Sequence, residues 1–271
     1  METITPDSFI LVFRDRRRRW LIRPKDTPKL HTHLGILDVS SLVGKEFGIR
    51  TATTMGDEVM ILKPTIEDLI MKLSRRTQVI YPKDLGLMML KLAIHSGSRV
   101  VETGTGSGAT TALLAYLVQP SGMVYTYEIN PEFQENARRN LQRLGLDGYV
   151  TFKMADSRLG FEETELDAGV LDVGDPWEVV QSMKRSLKPS AVMAAVTPTT
   201  NQAERLVEKM KGEGFVAIET VEVMLRQIEA RLGMTRPSNM MIGHTAYMVF
   251  GRTTQGEPHN SFKPTTVAGA V

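Results

Sequence analysis

From residue 99 onward, short apolar runs alternate with longer amphipathic stretches, and no other feature of the chain narrows its possible folds so far. Residues 100–102, 123–127, 150–154, 168–171 and 191–196 are apolar runs of strand length. Between them 109–117, 131–144 and 176–187 carry helical spacing, and 201–213 follows as a further helix. Strands that are apolar on both faces and joined by helices make a mostly parallel sheet covered on both sides. Residues 215–225 and 245–250 form a last pair of strands with no comparable helix between them. They predict an antiparallel edge hairpin around a long insertion at 226–243. The predicted fold class is therefore α/β, with 99–252 as the main domain.

The first part of the chain has a different texture. Residues 9–13, 20–22, 47–51 and 58–62 read as short strands, with glycines at 35, 44, 48 and 56 where turns are expected. Residues 1–63 are thus predicted to be a small β domain. A helical connector, 64–98, follows. Pro64 opens its first helix, to about residue 73, with Glu67 and Asp68 where the helix dipole favours acids. A loop at 78–84 leads to a second helix at 85–94. The stretch 253–271 is polar and rich in small residues and is expected to be a mobile tail.

Composition excludes several classes. With no cysteine, there is no disulfide framework and no thiolate metal site. No stretch approaches the ~20 apolar residues of a membrane-spanning helix. The apolar run 9–13 is too short for a secretory signal and is followed by its arginines, so the chain is expected to be cytoplasmic. No His, Asp and Glu have metal-ligand spacing, and no metal is expected. Charge is uneven: residues 1–80 hold 14 Lys and Arg against 10 Asp and Glu, the remainder 19 against 21. The surplus gathers at Arg14, Arg16, Arg17, Arg18, Arg19, Arg23, Lys25 and Lys29 around Trp20. Such a segment suits phosphate contact and base stacking, and equally a solvated edge or a subunit contact.

The turn after residue 102 reads Glu102-Thr103-Gly104-Thr105-Gly106-Ser107-Gly108. Its glycines let the backbone turn sharply and approach a ligand closely, and the following helix offers free N–H groups. Gly104, Gly106 and Ala109 also satisfy the dinucleotide fingerprint, so the turn alone does not separate NAD from S-adenosylmethionine. Three acids at strand ends shift the balance. Glu102, two residues before the first glycine, suits a cationic ligand better than a pyrophosphate. Glu128 is placed to bind ribose hydroxyls, and Asp156 to accept from an adenine amino group. All three lie at the carboxyl ends of strands, the usual ligand edge of such a sheet.

Together these residues resemble the class I S-adenosylmethionine-dependent methyltransferases, which implies a Rossmann-like methyltransferase domain. In that resemblance Gly104, Thr105, Gly106, Ser107 and Gly108 lie against the methionine part, Glu128 holds the ribose and Asp156 the adenine. The flanking segments are more selective: Gln78-Val79-Ile80-Tyr81-Pro82-Lys83-Asp84, Leu171-Asp172-Val173-Gly174-Asp175-Pro176-Trp177, Arg236-Pro237 and Gly243-His244-Thr245-Ala246-Tyr247. They resemble the tRNA (adenine-N1)-methyltransferase family, which modifies a T-loop adenine, and the resemblance spans about 28–252.

It implies an enzyme that binds S-adenosylmethionine with Gln78, Tyr81 and Asp172 besides the residues above. It implies tRNA as substrate, methylated at position 58, with 57 left open as a second position, and a homotetramer. Adenine N1 attacks through its in-plane lone pair without prior deprotonation, and the product stays cationic until N6 loses a proton. A carboxylate beside N6 can orient the base and stabilise that charge. Asp172 is the candidate, with Asp175 as the alternative or as a helix cap. Tyr81 is read as a cofactor contact or a stacking partner for the base, and Trp177 as an apolar anchor. His244 belongs to the active-site wall on the substrate side. Arg16, Arg17 and Arg18, with Arg75 and Arg76, are candidate tRNA contacts. The competing readings are a methyltransferase acting on protein (isoaspartate type) or a small molecule, a non-catalytic RNA-binding subunit and an NAD oxidoreductase.

Overall fold

The structure, a computed structural model, describes residues 2–255. The chain divides into two compact units, Met1–Leu73 and Ser74–Val271. The 64–98 stretch expected as one connector is split by this boundary. Of the expected tail, 256–271 lie outside the described residues, whereas Thr253 is buried and bonded to Ala191 and Lys188.

In the first unit β1 (Ile10–Phe13), β2 (Arg19–Ile22), β3 (Lys29–Thr32), β4 (Gly35–Asp38), β5 (Ile49–Ala52) and β6 (Glu58–Leu62) follow in turn. Four of them form an antiparallel sheet in the order β2-β1-β6-β5, and β3 pairs with β4 alone. That second hairpin was not foreseen from the sequence. Leu30 and Leu37 are the only residues of β3 and β4 buried in the core, too thin a signal for alternation to stand out. Ile4, Ile10, Val12, Ile22, Val39, Leu42, Val59 and Ile61 complete this core. The helix α1 (Ile66–Ile70) corrects the sequence reading. Pro64 precedes its N-cap, Thr65, whose side chain accepts from Asp68 N–H while the Asp68 carboxylate accepts from Thr65 N–H. This capping box satisfies two end donors that a proline start would leave open.

The first helix of the second unit is α2 (Pro82–Lys91), which starts earlier than expected because Pro82 takes the first helical position, with Tyr81 at the N-cap position making no side-chain cap bond. Then come β7 (Arg99–Thr103), α3 (Ala109–Val118), β8 (Met123–Glu128), α4 (Pro131–Leu144), β9 (Val150–Met154), β10 (Leu166–Leu171), α5 (Val180–Ser186), β11 (Leu187–Thr197), α6 (Thr200–Gly212) and β12 (Val216–Val221). The short β13 (Ile228–Glu229) and β14 (Arg236–Pro237) pair within the insertion, and β15 (Tyr247–Arg252) closes the sheet. A single helix was expected over 176–187. Instead a 3-10 turn at Pro176–Glu178 precedes α5, and β11 begins at Leu187.

Seven strands lie in the order β12-β15-β11-β10-β7-β8-β9. The five from β11 to β9 run parallel, and β15 is antiparallel to both its neighbours. The expected edge hairpin is present, with β12 outermost and β15 buried between two partners. Val101, Leu171, Val180, Met183, Met193, Leu206 and Val249 form the core on one face. The order of strands reverses at β7, so the crevice beyond its carboxyl end is where an open sheet of this kind takes a ligand.

Candidate active site

The site is built where β7 and β10 end side by side. Asp172 N–H donates to the Thr103 carbonyl at 2.9 Å, drawing the two strand ends together. Gly104 follows with φ +89°, and a Cβ there would lie 2.0 Å from the Asp172 carbonyl oxygen. No other residue fits. Gly108, at φ +78°, caps α3, and its Cβ position lies 2.9 Å from Leu141. The turn is fixed from outside as well. Ser107 Oγ accepts from the N–H groups of Arg76 and Thr77 at 3.0 and 3.1 Å. Asn140, buried on α4, donates to the carbonyls of Ser107 and Ser74, both at 2.9 Å, and accepts from Ser74 N–H.

These constraints enclose a cavity of about 410 Å³ lined by Gln78, Gly104, Thr105, Gly106, Ser107, Glu128 and Asp172, among others. Glu128 forms part of its wall. One carboxylate oxygen accepts from Gly106 N–H at 3.0 Å, the other from Ile129 and Asn130 N–H at 2.9 Å. Two acids expected here are placed differently. Glu102 lies beneath the cavity, fully buried, with Oε2 accepting from the hydroxyls of Thr111 and Thr126 at 2.6 Å. Burial pushes its carboxyl up to about 8, with Asp172 and Glu128 adding to the shift. At neutral pH it is uncharged, a hydrogen-bonding floor under the turn. Asp156 caps a 3-10 turn through Arg158 N–H, and its carboxylate is engaged by the Arg158 guanidinium at 2.5 to 3.0 Å. That ion pair holds its pKa below the ordinary value.

A second cavity, about 320 Å³, adjoins the first. The two share Gln78, Val79, Ile80, Asp172, Val173 and Gly174 as a common wall. Tyr81, Asp84, Pro198, Gln202, Thr245 and Ala246 line only the second. Asp172 therefore stands at the junction, where burial pushes its carboxyl up to about 6. Asp175 is exposed and its side chain caps nothing. Trp177 is buried, with the Arg205 guanidinium 4.1 Å above its ring. His244 sits just outside this cavity, with Nδ1 2.5 Å from Glu222 Oε1 and Nε2 3.0 Å from the carbonyl of Pro198.

Sequence reasoning missed several residues that shape the site. Asn140 looks like one polar residue among many on α4; only its burial betrays it. Gln202 donates to the Gly174 carbonyl at 3.1 Å. Lys83 and Asp84 lie in the 78–84 segment, where nothing in the sequence marks a role for them. Of the expected tRNA contacts, Arg75 and Arg76 belong to the second unit, and Arg16, Arg17 and Arg18 to the first, in the loop between β1 and β2. Asp15 holds Arg18 at 2.5 Å, while Arg16 and Arg17 are exposed with no ion pair among the described residues.

Residues 58–242 match the family described as tRNA methyltransferase complex GCD14 subunit. The tRNA (adenine(57)-N(1)/adenine(58)-N(1))-methyltransferase TrmI of Methanocaldococcus jannaschii is 35% identical, over 90% of this chain and 95% of that protein. The tRNA (adenine(58)-N(1))-methyltransferase TrmI of Thermus thermophilus is 32% identical, over 88% and 94%. Among solved structures, a SAM-dependent O-methyltransferase from Thermotoga maritima has a TM-score of 0.89 at 36% identity, covering 95% of this chain and 97% of that one. The tRNA (m1A58) methyltransferase TrmI from Aquifex aeolicus has a TM-score of 0.82 at 30% identity, covering 94% and 100%.

Proposed function

The chain belongs to the family of the tRNA methyltransferase complex GCD14 subunit, and on that premise we propose that it methylates N1 of an adenine in the tRNA T-loop. It is an S-adenosylmethionine-dependent methyltransferase. The residues fit that donor. Gly104, Thr105, Gly106 and Ser107 line the first cavity, and the absent Cβ of Gly104 lets the Asp172 carbonyl close against the turn and shape its wall. Glu128 has about four acceptor positions, three of them taken by N–H groups, so one is left for a ribose hydroxyl. When bound, the donor supplies an electrophilic methyl group on a cationic sulfur. The turn from Gly104 to Gly108 would hold its methionine part. The relatives named above act at tRNA positions 57 and 58 or at 58 alone; for this chain we assign 58 as the principal site.

The observation that carries the reading is the position of Asp172 at the junction of two cavities. With the donor in one and the adenine in the other, the Asp172 carboxylate accepts from the N6 amino group. It orients N1 and takes up or stabilises the proton that N6 loses. Tyr81 packs against the base from the second cavity. Extruding a stacked adenine costs a few kcal/mol, which phosphate contacts offset. We assign Arg16 and Arg17 to such contacts, in a homotetramer working in the cytoplasm. The exposed apolar side chains between β12 and β15, Met224, Leu225, Leu232, Met234 and Met240, support an assembly that covers them.

The test is incubation with unmodified tRNA and labelled S-adenosylmethionine, followed by nucleoside mapping. N1-methyladenosine in the T-loop is expected. Label recovered only on oxygen, in protein or in no product overturns the proposal.

A further inference from the structure

Beside the second cavity lies a charged network that the scheme above does not use. Lys83 Nζ donates to Asp84 Oδ1 at 2.8 Å, to the Val223 carbonyl at 2.6 Å and to the Thr245 hydroxyl at 2.6 Å. Thr245 Oγ1 in turn donates to Asp84 Oδ2 at 2.7 Å. All three ammonium protons are used, both carboxylate oxygens accept, and Asp84 is wholly buried. The members come from three places: the start of α2 directly after Tyr81, and the two ends of the insertion 222–246 between β12 and β15. His244 ties the same two ends again, bonding Glu222 and the Pro198 carbonyl.

A buried ion pair of this kind adds little net stability, because desolvation of both charges offsets their attraction. What it does supply is a single arrangement. Three donors set at fixed angles need three acceptors in place, so Val223, Thr245 and Asp84 cannot drift independently. Asp84 and Thr245 are themselves cavity wall, beside Tyr81 and Ala246, and neither lines the cavity of the glycine turn.

We propose that Lys83, Asp84 and Thr245 are positioning residues for methyl transfer. They clasp the ends of the insertion to α2 and so hold the wall of the target-base cavity in place opposite Asp172. The proposal rests on the assignment of the second cavity to the base. Its consequence is selective: loosening the clasp slows transfer and leaves donor binding alone.

The double variant K83M/D84N removes both charges while keeping their volume, since Asp84→Asn alone strands an ammonium. Thr245→Val removes the shared hydroxyl at constant shape, and Thr245→Ser returns it. Donor affinity by calorimetry is expected to stay within twofold of wild type in all three. Turnover on tRNA is expected to fall at least tenfold in K83M/D84N and in Thr245→Val, and to return in Thr245→Ser. Turnover within twofold of wild type in both impaired variants overturns the clasp. So does a parallel loss of donor affinity, which general loosening would produce. The wild type is run alongside: its failure on tRNA would instead overturn the substrate assignment.

Discussion

Glu102→Gln is expected to abolish a pH dependence of stability that the wild type shows between about pH 4.5 and 8. The carboxyl has a pKa of about 8 when folded and 4.5 as its ordinary value. Below the lower value both states are protonated and the group contributes nothing. Between the two values the native state holds one proton more than the unfolded chain, so stability falls as pH rises, by about 1.4 kcal/mol per unit. Above about 8 the loss is complete. Across roughly 3.5 units this sums to about 5 kcal/mol, an upper bound because an ionised buried carboxylate draws in water.

The glutamine carbonyl accepts the same two hydroxyls, of Thr111 and Thr126, and never ionises. Titrating groups that do not interact with Glu102 cancel when variant and wild type are subtracted, and Asp172 and Glu128 enter the difference only through their smaller contribution to its shift. Urea unfolding at pH 5, 6, 7 and 8, in a Trp20→Phe background, leaves Trp177 as the sole reporter, within the second unit. The stability difference between variant and wild type is expected to grow in favour of glutamine by several kcal/mol from pH 5 to 8. A constant offset between amide and acid is immaterial, because the slope decides. A difference that stays flat across the range would mean that Glu102 is ionised in the fold, and would refute its role as a neutral floor.

Three further outcomes follow from the same geometry. Gly104→Ala sets a Cβ 2.0 Å from the Asp172 carbonyl at φ +89°; the backbone strain is expected to lower stability by about 1–3 kcal/mol in urea unfolding, and the displaced turn to bind the donor more weakly in calorimetry. Turnover of the wild type rises with pH through about 6 as Asp172 ionises and then levels; in Asp172→Asn that inflection disappears and turnover falls by at least ~100-fold, the scale of a lost acid–base group. Asn140→Ala removes three hydrogen bonds and leaves the Ser74 N–H without its Asn140 acceptor. It is expected to cost about 2–4 kcal/mol in the unfolding of the second unit and to weaken donor binding, whereas an unchanged urea midpoint would show that the contact is idle.

Apolar runs of three to six residues are legible as strands, and glycine and proline mark where they stop. That is why the parallel strands and the α4 helix over 131–144 could be read directly. The β3–β4 hairpin could not, because two buried leucines in eight residues are below what periodicity can separate from a loop. Partners far apart in sequence were equally hidden: nothing local in Lys83 or Asn140 announces Thr245 or Ser74. The acids make the sharpest case. Glu102 and Glu128 both read as carboxylates at strand ends, and the ladder puts both on one face of the sheet, since Glu102 pairs with Thr126 and Glu128 follows two residues later. They differ in depth. Two residues along a parallel strand are ~6.6 Å, and that distance carries Glu102 under α3, against Thr111, while Glu128 clears the end of the sheet and joins the cavity wall. Register between strands, not the identity of the residue, decides which carboxylate joins the cavity wall and which becomes a neutral support beneath it.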